Sequence, residues 1–541
     1  MALDQQGMSG EEFGKRTGDD DDEPKKPNGA STTQLPVIDI VPGKLSERTA
    51  GAIGALRTAG LDIFDRGGQL VRPVRVADPE TLDGVRRPVG ALVLRPIEPE
   101  WVRLRLAEVA TWRKWDSRKQ DWRAADPPYD VPRTITVAPD EGAWPYLRAI
   151  VRHPVLLPDG RRITGPGYDA GTRLLVDAPG NWPPLPDRPT RDDALEARTR
   201  LEHLLRFYPW VSAADRAVAL SLILTALARA ILPTAPGHGT DAPAPGTGKS
   251  LLIDAAAILS TGTTAAVMDY GRDPTEATKR LDGMLLAGDA VISIDNIEAA
   301  IEGAALCQTL TQGSRRIRPL GASVMVTVPC TALLTLNGNN LSLRGDIVRR
   351  VLVCRLDAKC ERPELRQIEQ DLLSDVRRQR GELVRDAQTI MAAYVAAGRP
   401  KRKLPVLGGF REWSGMVRDA LVWSGAEDPV SSMERTRADD PMAQEVRAVL
   451  AAWREAFGAE AVTAADAIQR ADPDPELRKE GAKPDQRLRE AIELAALRRG
   501  KLDARALSYW LRAHRDVRVG TMTLRRADGS HGGIARWKVV T

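Results

Sequence analysis

Aromatic residues make up only 4% of this 541-residue chain, histidines number five and cysteines four. The cysteines, Cys307, Cys330, Cys354 and Cys360, form no C-x-x-C pair. With so few histidines beside them a zinc ribbon is not expected, and the thiols fit a reducing compartment. No apolar run reaches the roughly 18 residues of a membrane span. The N-terminus also lacks the basic-then-apolar order of a signal peptide, so the expectation is a cytoplasmic protein without a membrane partner. Charge of one sign is scarce as well. The 78 basic residues exceed the 73 acidic ones by five, so any nucleic-acid signal must come from local clusters. The length is too great for one ordinary core and allows two to four domains.

Composition divides the chain. Residues 1–35 are polar and glycine-rich, include the run Asp19-Asp20-Asp21-Asp22-Glu23, and read as a disordered tail. Residues 36–178 mix short apolar runs such as ALVLRPI with one helical stretch at 100–115 and turn signals such as Pro158-Asp159-Gly160. That pattern predicts a small α+β domain. The proline-rich APGNWPPLPDRPT marks a linker at 179–192. Helices are expected over 191–231, inside a larger unit at 193–400 where apolar β-type runs alternate with helical patterns, as a parallel sheet requires. The expected strands are AAVMDY (265–270), AVISID (290–295), TALLTLN (331–337) and VLVCRL (351–356), closed by a long helical stretch at 363–397. A connecting segment at 401–440, polar near 427–440, leads to a C-terminal domain at 441–541.

The stretch TDAPAPGTGKSLL holds most of the phosphate-loop pattern G-x-x-x-x-G-K-[ST], with Pro243 in place of its first glycine. In such loops glycines let backbone N–H groups approach phosphate, Lys reaches the β and γ phosphates, and the Ser hydroxyl ligates Mg²⁺. Pro245, Gly246, Thr247, Gly248, Lys249 and Ser250 form the expected ATP cradle, and the helical LLIDAAAILS behind it would aim a positive N-terminus at the anion. The segment PTAPGHGTD before it reads as a poor strand. A carboxylate is expected on the neighbouring strand, at the Mg²⁺ side, and VISIDN supplies Asp295. Many ATPases place Glu directly afterwards, whereas this chain has Asn296. An amide orients water but accepts no proton, so either Glu298 takes part or hydrolysis is slow. Asn337 ends the next strand, where an amide can sense the γ-phosphate, and Arg349 and Arg350 in RGDIVRRV stand where arginines reach a neighbouring subunit's nucleotide.

The ordered set PGTGKS, ISIDN, LLTLNGNN, GDIVRRVLVCRLD resembles the AAA+ / superfamily 3 helicase domain of phage, plasmid and prophage primase-helicase proteins, over residues 207–399. The resemblance implies an α/β fold with a P-loop AAA+-like ATPase core and a helical lead-in. It also implies ATP and Mg²⁺ as cofactors, DNA as partner, a homo-hexameric ring, and association with a primase or other replication proteins. Lys249 and Ser250 carry over as Walker A, Asp295 as Walker B, Asn337 as sensor, and Arg350 as arginine finger with Arg349 in reserve. It further implies that SRRIRPLGASVMVTVP at 314–329 forms a channel-facing hairpin, with Arg315, Arg316 and Arg318 gripping the DNA backbone. Alternation sets 316 and 318 on one side of a strand.

At the C-terminus ALSYWLRAHRDVRV reads as a helix and MTLRRADGSHGGIARWKVV as two β-type runs around a turn. Helix then hairpin suggests a winged-helix-like domain. Eleven Lys or Arg against three Asp lie from Arg498 onward, so Arg512, Arg515, Arg518, Arg525 and Arg526 are candidate DNA contacts. Winged helices also bind proteins. Two functions are therefore expected: an ATP-driven DNA helicase or translocase replicating a mobile element, or a nucleotide-switched DNA-binding initiator or helicase-loading scaffold that does not unwind. The ordered set Lys249, Asp295, Asn337 and Arg350 makes the first the leading expectation, and the second is its alternative.

Overall fold

A computed structural model describes residues 35–82, 84–137, 142–297, 300–321, 324–527 and 535–541. Nearly all of the tail expected at 1–35, together with Glu298, lies outside the described residues.

The architecture is mixed α/β around a central sheet. Five parallel strands run in the order Val351–Arg355, Gly237–Ala242, Leu333–Asn339, Val291–Ile297, Ala266–Asp269. Helices cover the faces, so the strands read as continuous apolar runs rather than alternating ones. The helix Ala213–Ala228, capped by the Ser212 hydroxyl, is buried along almost its whole length. The helix Lys249–Thr261 packs beside it. All six residues of Gly237–Ala242, GHGTDA, are buried, although nothing in their propensity favours a strand. Packing is the reason. A Cβ on Gly239 would lie 2.9 Å from Leu341 Cδ2 and 3.3 Å from Val353 Cγ2, so the neighbouring side chains already fill the space. His238 is wholly buried, its ring nitrogen 3.0 Å from Ser221 Oγ, and burial pulls its pKa down to about 3.

The helical stretch expected at 363–397 is broken into Pro363–Leu365, Leu372–Arg378 and Arg380–Ala396. The first break serves a contact: Glu364 crosses over the phosphate loop, and Arg366 donates to the Phe207 carbonyl. The polar segment near 427–440 contains a helix, Ser432–Ala438. Its Arg435 pairs with the buried Asp215, while Arg355 bridges Asp241 at 3.2 Å and Asp439 at 2.6 Å. The C-terminal residues have their own core, built on Trp453, Leu488, Leu507 and Trp537. There the helix Ala504–Ala513 is followed by the antiparallel strands Met522–Arg526 and Trp537–Val540. Residues 528–534 between these strands lie outside the described set.

The N-terminal region is fastened to the core. Its hairpin Glu80–Leu82 and Val85–Arg87 extends the central sheet antiparallel to Ala266–Asp269. Gly67 lies so close to the strand Val326–Pro329 that a Cβ there would meet the Thr327 carbonyl oxygen at 1.9 Å. The Arg87 guanidinium grips the Asp289 carboxylate at 2.7 and 3.0 Å, with both side chains buried. Burial pushes the Asp289 carboxyl up, and Arg87 pulls against that shift. Asp289→Ala would leave the buried Arg87 guanidinium with only the more distant Glu80 carboxylate at 3.9 Å, and losing one partner of a buried pair costs up to about 3–5 kcal/mol. Urea unfolding should show the loss as a lower midpoint; an unchanged midpoint would mean that the pair does not hold the two parts together.

Candidate nucleotide site

The phosphate loop leaves the buried strand at Ala242, passes the exposed Pro243, and enters the helix Lys249–Thr261. Gly246 and Gly248 both have positive φ, 77° and 93°, a conformation that favours glycine. Space demands glycine too. A Cβ on Gly246 would sit 2.8 Å from Glu364 Cβ, and one on Gly248 would sit 3.3 Å from the Tyr208 ring. The Tyr208 hydroxyl donates to the Gly248 carbonyl at 3.1 Å, and its ring stacks on Trp210 with centroids 5.0 Å apart. Burial raises its pKa, which keeps the hydroxyl a donor.

Two strand tips meet beside this loop. Asn337 Nδ2 donates to Ser250 Oγ at 2.8 Å and to Asp295 Oδ1 at 2.9 Å. Lys249 Nζ donates to Asn339 Oδ1 at 2.7 Å and to the Ala244 carbonyl at 3.3 Å. Burial pulls the Lys249 ammonium below its ordinary range, against the opposing fields of Asp241 and Asp295. The residues from Pro245 to Ser250, Asp295, Asn296, Asn337 and Asn339 line one cleft of 660 Å³, a volume in the range of small-molecule sites.

The sequence expectation placed Asp295 on the strand next to the loop, but the Asn337 strand runs between them. That arrangement lets one amide touch both the helix hydroxyl and the acid. Asn296 has φ 55°, and its N–H donates to the Asp295 carboxylate at 2.8 Å. It falls where the register between the two strands shifts. Asn tolerates the left-handed conformation better than Glu does, a backbone reason for the residue found there. Asn339 was missed from sequence, although it follows Asn337 at the two-residue period that sets side chains on one strand face. Tyr208 and Glu364 approach from distant segments and carry no sequence signal.

Neither candidate finger lines the cleft. Both lie at the end of a short 3-10 turn, Gly345–Arg349, and both pair with Asp346. Arg349 is 61% exposed and Arg350 only 14%; Arg350 turns inward beside Cys307 and also donates to the Asp346 carbonyl at 3.0 Å.

Ser314–Ile317 and Val326–Pro329 form an antiparallel hairpin. Arg316 and Arg318 are exposed, and beyond them Leu320 and Val324 are also exposed. Arg315 departs from expectation: alternation turns it inward, where it is buried and binds Asp282 and Thr309 Oγ1, each at 3.0 Å. It braces the hairpin and is unavailable to a ligand. Arg512, Arg515, Arg518, Arg525 and Arg526 are all exposed. Asp516 pairs with Arg525 at 2.7 Å and Arg515 at 3.3 Å.

No protein-family model matches the chain, and no curated protein matches it. Among solved structures, an apo form of the NrS-1 C-terminal region overlaps 91% of this chain and 98% of its own, with 14% identity and a TM-score of 0.36. A second apo structure of that region, residues 305–718, overlaps 91% and 99% with 12% identity and a TM-score of 0.33. A JCV helicase bound to a thiazolopyridine compound overlaps 48% and 72% with 10% identity and a TM-score of 0.19. Likeness at TM-scores of 0.36 and below carries no argument. Among the described residues no helix is long and apolar enough to cross a membrane.

Proposed function

We propose that the chain is an ATP-dependent DNA helicase or translocase of the AAA+ / superfamily 3 type, working as a homo-hexameric ring in replication of a phage, plasmid or integrated mobile element. One observation carries the reading: the Asn337 amide within hydrogen-bond distance of both Ser250 and Asp295, at the mouth of a glycine loop that presents Lys249. Ser250 and Asp295 suit Mg²⁺, which takes one or two protein oxygens and fills its remaining positions with water and phosphate. When bound there, Mg²⁺ would neutralise charge on the β and γ oxygens. The residues do the rest. Loop N–H groups and the Lys249 ammonium bind phosphate, and Asn337 holds Ser250 and Asp295 in register. In this reading Asn296, in the lining of the cleft, orients water without taking its proton.

Asn296 also favours a second reading, a nucleotide-switched initiator or loading scaffold that binds DNA without unwinding it. Strand displacement separates the two. A helicase shows Mg²⁺-dependent ATP hydrolysis stimulated by single-stranded DNA and unwinds a forked duplex; ATP and DNA binding without unwinding at either polarity leaves the scaffold. The hairpin supplies a finer test. Arg316→Ala with Arg318→Ala should lower the log–log salt slope of DNA binding by roughly 0.7–0.9 per lost phosphate contact, with ATP affinity unchanged. An unaltered slope would return both arginines to the solvated surface.

A further inference from the structure

Five of the twelve tryptophans, Trp101, Trp112, Trp115, Trp122 and Trp144, lie in the N-terminal region, for which the nucleotide site offers no use. Trp112 and Trp144 belong to a core shared with the helices Leu45–Thr58, Pro99–Val109 and Asp130–Val137. Trp115 and Trp122 do not. They stand opposite each other on the antiparallel strands Thr111–Asp116 and Asp121–Ala124, flanked by the parallel strand Val37–Ile40. Alternation turns Ile38 and Trp112 toward the helices and Val37, Arg113, Trp115 and Trp122 to the outer face. Trp115 is 44% exposed and Val37 49%. The two indoles meet edge to face at 5.6 Å, and the Arg113 guanidinium lies 5.0 Å over the Trp122 ring. Arg113 is held there by Asp39, at 2.8 and 3.1 Å.

Charge completes the surface. Arg113 shares the outer face with the two indoles, and Arg118 and Lys119 stand in the turn between the strands, whereas alternation sets Lys114, Arg123, Asp116 and Asp121 on the opposite face. Asp116 is occupied with the turn, accepting from the N–H groups of Arg118 at 2.9 Å and Lys119 at 3.3 Å. Arg118 and Lys119 project from that turn, exposed. A cross-strand tryptophan pair stabilises a hairpin, but hairpin stability needs neither an outward-facing pair nor a cationic turn. A ligand with flat π-faces spaced along a polyanion uses both. Stacking of bases on aromatic rings beside a basic track is the physics of single-strand binding, and a duplex keeps its base faces hidden.

We propose that the outer face of this three-stranded sheet is a platform for single-stranded nucleic acid, with bases on Trp115 and Trp122 and phosphates at Arg118 and Lys119. The inference rests on nucleic acid being the partner of the chain and is independent of ATP hydrolysis. The test uses the full chain and a fluorescein-labelled oligo-dT, read by anisotropy without ATP or Mg²⁺. Trp115→Ala and Trp122→Ala should each weaken binding about 5-fold to 150-fold with no change in salt slope, and phenylalanine at both positions should restore most of it. Arg118→Ala with Lys119→Ala should instead lower the slope by about 1.4. Wild-type protein that binds oligo-dT, with a tryptophan double variant that binds it equally well, overturns the platform alone. Wild-type protein that binds no oligo-dT overturns both the platform and the DNA reading. Displacement of oligo-dT by poly-glutamate at equal chain concentration, with no effect of the tryptophan changes, overturns the platform in favour of an acidic protein partner.

Discussion

Lys249→Ala is expected to lower ATP hydrolysis by at least about 100-fold, the loss seen when one preorganised donor to developing charge is removed from a reaction site, and to weaken nucleotide binding as well. Among the described residues the ammonium is the one cationic group lining the cleft. It is held ready by Asn339 and the Ala244 carbonyl rather than by a carboxylate. Neutral partners matter, because a phosphate displaces an amide from an ammonium more readily than it displaces an ion-paired acid. Burial has already lowered the cost of letting go of water at this position. Phosphate release measures turnover and a fluorescent ATP analogue measures binding. Circular dichroism melting should stay close to wild type, since the change empties the cleft and leaves the core intact. A variant that hydrolyses ATP at the wild-type rate removes the nucleotide reading entirely.

The parallel sheet was legible where strands are apolar and β-branched, as in VISIDN and VLVCRL, because burial on both faces imposes that composition. GHGTDA was not legible, since its place between the strands Val351–Arg355 and Leu333–Asn339 is set by Leu341 and Val353 filling the space over Gly239, which no local pattern records. The parts of the site that lie along one loop, Gly246 to Ser250, follow from a motif whose spacing is fixed by phosphate geometry. Its tertiary closure does not. The interposed Asn337 strand depends on strand order, and the contacts of Tyr208 and Glu364 with the loop depend on how distant segments return to it. The same limit applies at the N-terminus, where a small α+β domain was expected but the pairing of Val85–Arg87 with the central sheet was not.

Arginine in trans supplies the last expected result, and the structure changes which residue should supply it. Arg350 was the preferred finger from its place after Asn337, yet it is 14% exposed, committed to Asp346, and turned toward Cys307. Arg349 is 61% exposed and, among the described residues, pairs with the carboxylate of Asp346, an exposed pair of the kind that contributes little and releases easily. Arg349→Ala should therefore spare ATP binding and thermal stability while lowering turnover by about 10³- to 10⁵-fold, the range for arginine fingers in other NTPases. Arg350→Ala should show itself first as a lower melting temperature, because it unties the turn. Mixing tests assembly directly. An Arg349→Ala subunit keeps an intact loop and a Lys249→Ala subunit keeps an intact finger, so a ring containing both has some interfaces with a working pair. Two inactive preparations should regain partial ATPase activity once their subunits exchange. Normal turnover by Arg349→Ala would rule that residue out, and recovery with Arg350→Ala in its place would return the role to the inward arginine and require the turn to open in the ring.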